Sequence, residues 1–191
     1  MKLSKRGRRD GWSRLRVVLV VGGLAVLSAA VAVVTRYRSR TTPPSPMRPQ
    51  SVVIERPLEE VFAFVADREN DALWAPVVTE TRKTSEGPLG VGTTYKQSGR
   101  FLGRNLEMLF EVTEYEPNRK IGLRLVTSGP LRATSLCSVE AVSGGTRVTL
   151  TGEAQAGGFF WLLPDRIMLL PAQRIMGVAL TNLKELLEAR T

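Results

Sequence analysis

The sequence contains no histidine and only one cysteine, Cys137. Without histidine the chain cannot form a Ser-His-Asp triad, a Cys-His nucleophile or a histidine general base, and it cannot build a zinc site on His or clustered Cys ligands. A single cysteine also excludes an intrachain disulfide. We therefore expect no metal ion, no cofactor and no catalytic residue of these classes.

Acidic residues are scarce in the first fifty positions, where eleven Lys and Arg face one acid, Asp10. Residues 51–191 carry sixteen basic and seventeen acidic side chains, so the net charge of +9 belongs to the amino-terminal segment. A nucleic-acid-binding domain would carry basic charge on a folded face, together with aromatic side chains. The distribution predicts no nucleic-acid partner.

The run Val17–Val34 contains eighteen residues without a charge. At about 1.5 Å per residue this gives about 27 Å of helix, close to the thickness of a bilayer core. We predict a transmembrane helix over residues 17–35, preceded by a basic tail over residues 1–16. Seven Lys and Arg before the run and three directly after it favour a cytoplasmic amino terminus. The expected protein is single-pass, with its domain outside the cytoplasm.

A cleaved signal peptide is the main alternative to an anchor. Ala30-Val31-Ala32 resembles a cleavage box, but the apolar run continues through Val34, and Arg36 then begins a basic cluster. This order favours an uncleaved anchor. Residues 36–50 contain four prolines and predict an extended, semi-rigid linker.

Residues 51–191 have the pattern of one α+β domain. A short β-branched strand at Ser51–Glu55 is followed by apolar residues at helical spacing between Leu58 and Val65. A run of strands comes next, and an amphipathic helix is predicted from Pro171 to Ala189. The predicted strands of the run are Val77–Lys83, Thr93–Ser98, Asn105–Tyr115, Lys120–Thr127, Leu131–Val142 and Thr146–Ala154.

Several short motifs in this region resemble, in order, those of the SRPBCC superfamily, the START-like, helix-grip group that includes polyketide cyclase/dehydrase-like proteins. They are Ile54–Phe62 with Asp67, Trp74–Pro76, Gly92–Tyr95, Val112–Pro117, Gly145–Thr149 and Asn182–Glu188. The resemblance implies a curved antiparallel sheet of six to seven strands wrapped around a long carboxyl-terminal helix, with a cavity between them. It says little about activity, because this fold hosts carriers, cyclases and other functions.

Strand alternation predicts which side chains face that cavity, since a sheet with one buried face turns its apolar set inward. The inward set contains no ionisable group except the Cys137 thiol, and Glu107 and Glu111 fall on the opposite face. The expected cavity lining is Leu106, Met108, Phe110, Ile121, Leu123, Leu125, Cys137, Val139, Val148 and Leu150 from the strands, with Met176 and Leu180 from the helix.

An apolar lining of this kind suits a hydrophobic small molecule or a lipid, and it favours a binding domain over an enzyme. Two alternatives remain open at this point. The first is a cyclase- or dehydratase-like enzyme on the same fold. The second is an anchored protein-interaction module whose core is filled by its own side chains.

Phe159, Phe160 and Trp161 stand in a short segment dense in apolar residues, ahead of the last helix. They are predicted to form a flap over the cavity or a membrane-contacting patch. Packing into the core is the alternative.

Overall fold

The computed structural model describes residues 45–101, 104–126, 131–156 and 165–190. The predicted transmembrane helix over residues 17–35 lies outside the described residues, as do Phe159, Phe160 and Trp161. Within the described ranges, no helix combines the length and the apolar character that crossing a bilayer requires.

The described strands form one antiparallel sheet of seven strands, in the order β1-β7-β6-β5-β4-β3-β2. This confirms the predicted α+β sheet, and all six predicted strands of the run are present within a few residues of their expected ends. The strands are β1 (Ser45–Ile54), β2 (Val78–Lys83), β3 (Thr94–Phe101), β4 (Arg104–Glu116), β5 (Lys120–Leu125), β6 (Leu131–Val142) and β7 (Gly145–Ala156).

Strand β1 begins six residues earlier than expected, inside the segment interpreted as linker. It pairs with β7 from Ser45 opposite Ala154 to Ile54 opposite Thr146, with an irregularity between Met47 and Gln50. Prolines are tolerated here because β1 is an edge strand, where a missing N–H need not break a ladder hydrogen bond. The predicted linker therefore overlaps β1 from Ser45 onward, and its residues 36–44 lie outside the described residues.

The β6–β7 hairpin closes on two glycines with positive φ, Gly144 and Gly145. Gly145 has φ 136°, and a Cβ atom there would lie 2.1 Å from the carbonyl oxygen of Ile54. Only glycine can let β1 approach the turn this closely.

Three helices accompany the sheet: α1 (Leu58–Ala66), α2 (Asp71–Trp74) and α3 (Asp165–Glu188), with a single 3-10 turn at Arg68–Asn70 between the first two. Helix α3 begins six residues before the predicted start, so Pro171 lies inside it. Pro171 has no backbone N–H, so α3 lacks the hydrogen bond that this N–H would make. The helix nevertheless continues through it. The prediction that Pro171 opens the helix was wrong.

Helix α3 packs on the concave face of the sheet and is fastened to β1 and to the chain after it. Leu183 and Leu187 are completely buried against Ile54, Val61 and Val148. The Lys184 ammonium donates to the carbonyl of Val53 at 2.8 Å. This is the helix-grip arrangement, and it places one face of α3 opposite strands β5 to β7.

Candidate ligand-binding cavity between helix α3 and the sheet

A cavity of about 280 Å³ lies between α3 and the concave face of the sheet, and we call it the central cavity. Its wall is mostly apolar, with contributions from β1, from the segment around α2, from β5 to β7 and from α3. Its lining residues are Met47, Arg68, Trp74, Ala75, Ile121, Leu123, Ser135, Cys137, Leu150, Thr151, Ala172, Ile175, Met176 and Ala179.

Five residues expected from strand and helix periodicity line this cavity: Ile121, Leu123, Cys137, Leu150 and Met176. The sheet register brings the strand residues together, since Ile121 is paired with Cys137 and Cys137 with Leu150. Four more expected residues are buried in the surrounding core and not on the wall. These are Leu125, Val139, Val148 and Leu180.

The first half of β4 does not line the cavity. Leu106 is 39% exposed, whereas Met108 and Phe110 are half-buried. Strand β5 ends at Leu125, which is paired with Phe110, so the start of β4 has a strand neighbour only on the β3 side among the described residues. Alternation assigned the correct face to Leu106 but could not show whether another element covers that face.

The expectation of a cavity wall without ionisable groups other than a thiol was wrong. Arg68, from the 3-10 turn, lines the central cavity with its side chain only 15% exposed. Its Nη2 lies 2.6 Å from Oδ2 of Asp71, whose side chain is 1% exposed. The prediction failed because it considered the strands alone, and this ion pair comes from the turn before α2.

Asp71 is held in a small buried polar cluster that we call the Asp71 cluster: Arg68, Asp71, Thr81 and Gln97. The Gln97 amide donates to Oδ2 of Asp71 at 3.0 Å and to the hydroxyl of Thr81 at 3.1 Å. Burial raises the pKa of Asp71 to about 6, against the opposing effects of Arg68 and the Gln97 hydrogen bond. The charge of Asp71 is therefore costly in the fold despite its close partner.

Two buried polar atoms beside the cavity have no hydrogen-bond partner in the described part of the chain. They are Oδ1 of Asp71 and Nε1 of Trp74. Trp74 also lines the central cavity and is only 5% exposed. Its indole N–H is nevertheless buried and not open to the cavity, so it is an unpaired polar group within the fold and not a ligand contact.

The Cys137 thiol lines the cavity as a neutral group. It is buried, and burial raises its pKa to about 12. A thiol with this pKa is a poor nucleophile at neutral pH, which agrees with its interpretation as a small apolar side chain.

The convex face of the sheet is charged and solvated. Glu107 lies 3.0 Å from Lys96, and Glu111 lies 2.8 Å from Arg124. The interpretation of both glutamates as surface charges is confirmed, and exposed pairs of this kind contribute about 1 kcal/mol or less.

Three larger depressions lie elsewhere on the described part of the molecule. One, of about 420 Å³, lies beside Glu114 and Leu136. The second, of about 410 Å³, lies beside α1 and includes Tyr95 and Tyr115. The third, of about 340 Å³, includes Lys120 and has a polar lining. The central cavity is the better ligand site because it combines an apolar wall with a few buried polar groups.

The sequence pattern could have predicted two of the wall residues that the sequence analysis missed. Ser135 precedes Cys137 by two positions and so faces the same side, and Ile175 is on the apolar stripe of α3. No sequence pattern predicted Arg68 or Met47 on the wall. Arg68 is placed there by a turn, and Met47 by the early start of β1.

The sequence matches the family model described as polyketide cyclase / dehydrase and lipid transport over residues 49–188. The chain therefore belongs to this family, as the motif order indicated. No curated protein matches the sequence.

Solved structures share the fold at low sequence identity. Protein TTHA0849 from Thermus thermophilus superposes with a TM-score of 0.66 at 18% identity, covering 77% of this chain and 100% of that one. The aromatase/cyclase Zhui from a Streptomyces species gives 0.63 at 18% identity, covering 78% and 96%. The crystal structure of Ara h 8.0201 gives 0.56 at 16% identity, covering 75% and 97%. At these identities the likeness establishes the fold alone.

Proposed function

We propose that residues 45–190 form a START-like domain that binds a hydrophobic small molecule or a lipid in the central cavity. The observation that carries this proposal is the cavity itself, with its largely apolar wall between α3 and strands β5 to β7. Burial of apolar ligand surface, at about 25 cal/mol per Å² before the costs of binding, supplies the driving force. The cavity also argues against the alternative of a core filled by its own side chains.

The size of the cavity limits the ligand. An apolar cavity of about 150 Å³ is known to hold benzene. The central cavity, at about 280 Å³, suits a molecule with two fused rings or a comparable length of hydrocarbon chain. A larger lipid would have to extend beyond the cavity as described.

Membrane attachment through Val17–Val34 belongs to the same proposal. The nine linker residues 36–44 would span about 28 Å if fully extended as polyproline II, so the domain would stay near the bilayer surface. Retention of the full chain in membranes after alkaline washing tests the anchor. A reporter active only outside the cytoplasm, fused after Thr191, tests the orientation, and the positive-inside asymmetry predicts an active fusion.

A cyclase- or dehydratase-like enzyme is the second candidate, because Asp71 has a pKa near neutrality, as a general acid or base requires. The geometry favours binding instead. Oδ2 of Asp71 already accepts hydrogen bonds from Arg68 and Gln97, and the side chain does not line the cavity.

Ligand-induced stabilisation of the full-length protein tests the binding function. Naphthalene fits the cavity volume, and a ligand that binds only the folded state raises the unfolding temperature. Ala172 is half-buried on the cavity wall, so Ala172→Phe should fill the cavity and abolish the naphthalene-induced shift. Val178→Phe, on the exposed side of the same helix, is the matched control and should keep it. An equal shift in wild type and Ala172→Phe would contradict binding in the central cavity.

A further inference from the structure

We infer that the ligand of the central cavity has an apolar body and one uncharged oxygen acceptor, a hydroxyl or a carbonyl, that binds to Arg68. This inference rests on the proposed binding function and specifies the class of ligand. It comes from the one guanidinium in a mostly apolar wall.

The Arg68 side chain has more hydrogen-bond donors than the fold uses. A guanidinium carries five N–H groups. Among the described residues, Arg68 is paired only with Asp71, through Nη2, although its side chain is only 15% exposed. The other Arg68 nitrogens are not among the buried unpaired atoms, so they remain accessible, and a ligand oxygen beside Arg68 would gain a charge-assisted hydrogen bond.

The other polar side chains of the wall do not change this requirement. The hydroxyls of Ser135 and Thr151 can donate or accept. Trp74 also lines the cavity, but its Nε1 is itself buried and is not open to a ligand.

The charge of the site selects against an anionic ligand. Asp71 lies 2.6 Å from the Arg68 guanidinium and balances its charge. A ligand carboxylate would be repelled by the Asp71 carboxylate and would lose its hydration in an apolar cavity. An uncharged oxygen can accept hydrogen bonds from the free N–H groups without this repulsion and without the loss of hydration that a charge would suffer.

Three probes with the same ring system distinguish an apolar ligand, a ligand with an uncharged oxygen and an anionic ligand. They are naphthalene, 1-naphthol and 1-naphthoate. The full-length protein has one cysteine, and Cys137 lines the cavity, so protection of Cys137 from N-ethylmaleimide reports binding at this site. Free probe concentrations are set by equilibrium dialysis, because the probes also partition into detergent or lipid. The measured quantity is the free concentration that halves the alkylation rate.

We expect wild-type protein to bind 1-naphthol about tenfold more tightly than naphthalene, and more tightly than 1-naphthoate. The double variant Arg68→Met with Asp71→Asn removes both charges together, which avoids a buried unpaired acid. It should lose most of the preference for 1-naphthol over naphthalene, and this ratio is the readout. Arg124→Met on the convex face should keep the preference.

Each outcome has a distinct meaning. Equal binding of naphthalene and 1-naphthol to wild type would overturn the inference and leave the proposed function intact, and tighter binding of 1-naphthoate would overturn the uncharged acceptor. No protection by any probe would overturn both proposals. If the double variant does not fold, the wild-type ratio of naphthalene to 1-naphthol binding still decides.

Discussion

Asn182 donates from its side-chain amide to the backbone carbonyl of Trp74 at 3.1 Å, which fastens α3 to the short helix α2. Carbonyls at the end of a helix have no partner within it, and this bond supplies one from another element. Trp74 and α3 both contribute side chains to the cavity wall. The hydrogen bond therefore joins two of the elements that form the central cavity.

Removing this bond should destabilise the domain. We expect Asn182→Ala to lower the free energy of unfolding by about 1 kcal/mol, the typical net contribution of one hydrogen bond. Denaturant unfolding measures it, with Thr181→Ala as the control, since Thr181 is exposed and bonds only within its own helix. Equal effects of the two substitutions would show that the Asn182–Trp74 bond contributes nothing.

Core packing around α3 gives a larger effect. Leu183 is completely buried, so Leu183→Ala should cost about 2–5 kcal/mol through lost burial and the space left behind. Val178 lies on the same helix and is 49% exposed, and Val178→Ala should change the free energy of unfolding by about 0.5 kcal/mol or less. Similar losses for both would mean that α3 does not pack on the sheet as described.

The buried charge of Asp71 predicts an unusual pH dependence of stability. Its pKa is about 6 in the fold and 3.8 for an unperturbed side chain, so the folded state binds more protons between these values. The contribution of Asp71 to stability is therefore fully present below pH 3.8 and is lost as the pH rises through about 6. The difference is about 3 kcal/mol at most.

Asp71→Asn tests this directly. The variant should remove the Asp71 contribution to the change in unfolding free energy between pH 4 and pH 7, whereas Glu59→Gln at an exposed position should leave it unchanged. Denaturant unfolding at several pH values measures both. An Asp71→Asn variant whose pH profile matches the wild type would contradict a raised pKa for the buried Asp71 carboxyl.

Cys137 should react slowly with alkylating reagents in the folded protein. Burial and a pKa of about 12 leave very little thiolate at pH 8, and the thiolate is the reactive form. We expect the alkylation rate to rise about tenfold per pH unit above pH 8 while the fold persists, and to become fast in denaturant. Rapid alkylation of the native protein at pH 7 would show that the thiol is not buried.

Periodicity was sufficient to predict the sheet and the strand side of the cavity. Ile121, Leu123, Cys137 and Leu150 alternate regularly, and a regular strand has only two faces to assign. The same reasoning gave Leu106 the correct face but wrongly predicted it on the cavity wall. Burial depends on which elements cover a face and not on alternation alone.

The polar part of the cavity was not predictable in the same way. Arg68 reaches the wall from a 3-10 turn, and no period connects a turn residue to the strands it faces. Its partner Asp71 and the hydrogen bonds through Gln97 join three separate segments. Only the tertiary arrangement brings them together.

Proline was a poor guide to element ends in this chain. Pro46 and Pro49 lie within β1, where an edge strand tolerates them, and Pro171 lies within α3. In each case tertiary packing outweighed the local preference against proline.

Native mass spectrometry of the full-length protein extracted from membranes tests the central claim most directly. Wild type should carry a small apolar molecule that is released on collisional activation, and Ala172→Phe should lose it while Val178→Phe retains it. The comparison separates a cavity ligand from lipid bound around the anchor, because both variants keep residues 17–35. A wild-type protein without any bound molecule, or an Ala172→Phe variant that carries it to the same extent, would contradict a ligand-binding central cavity.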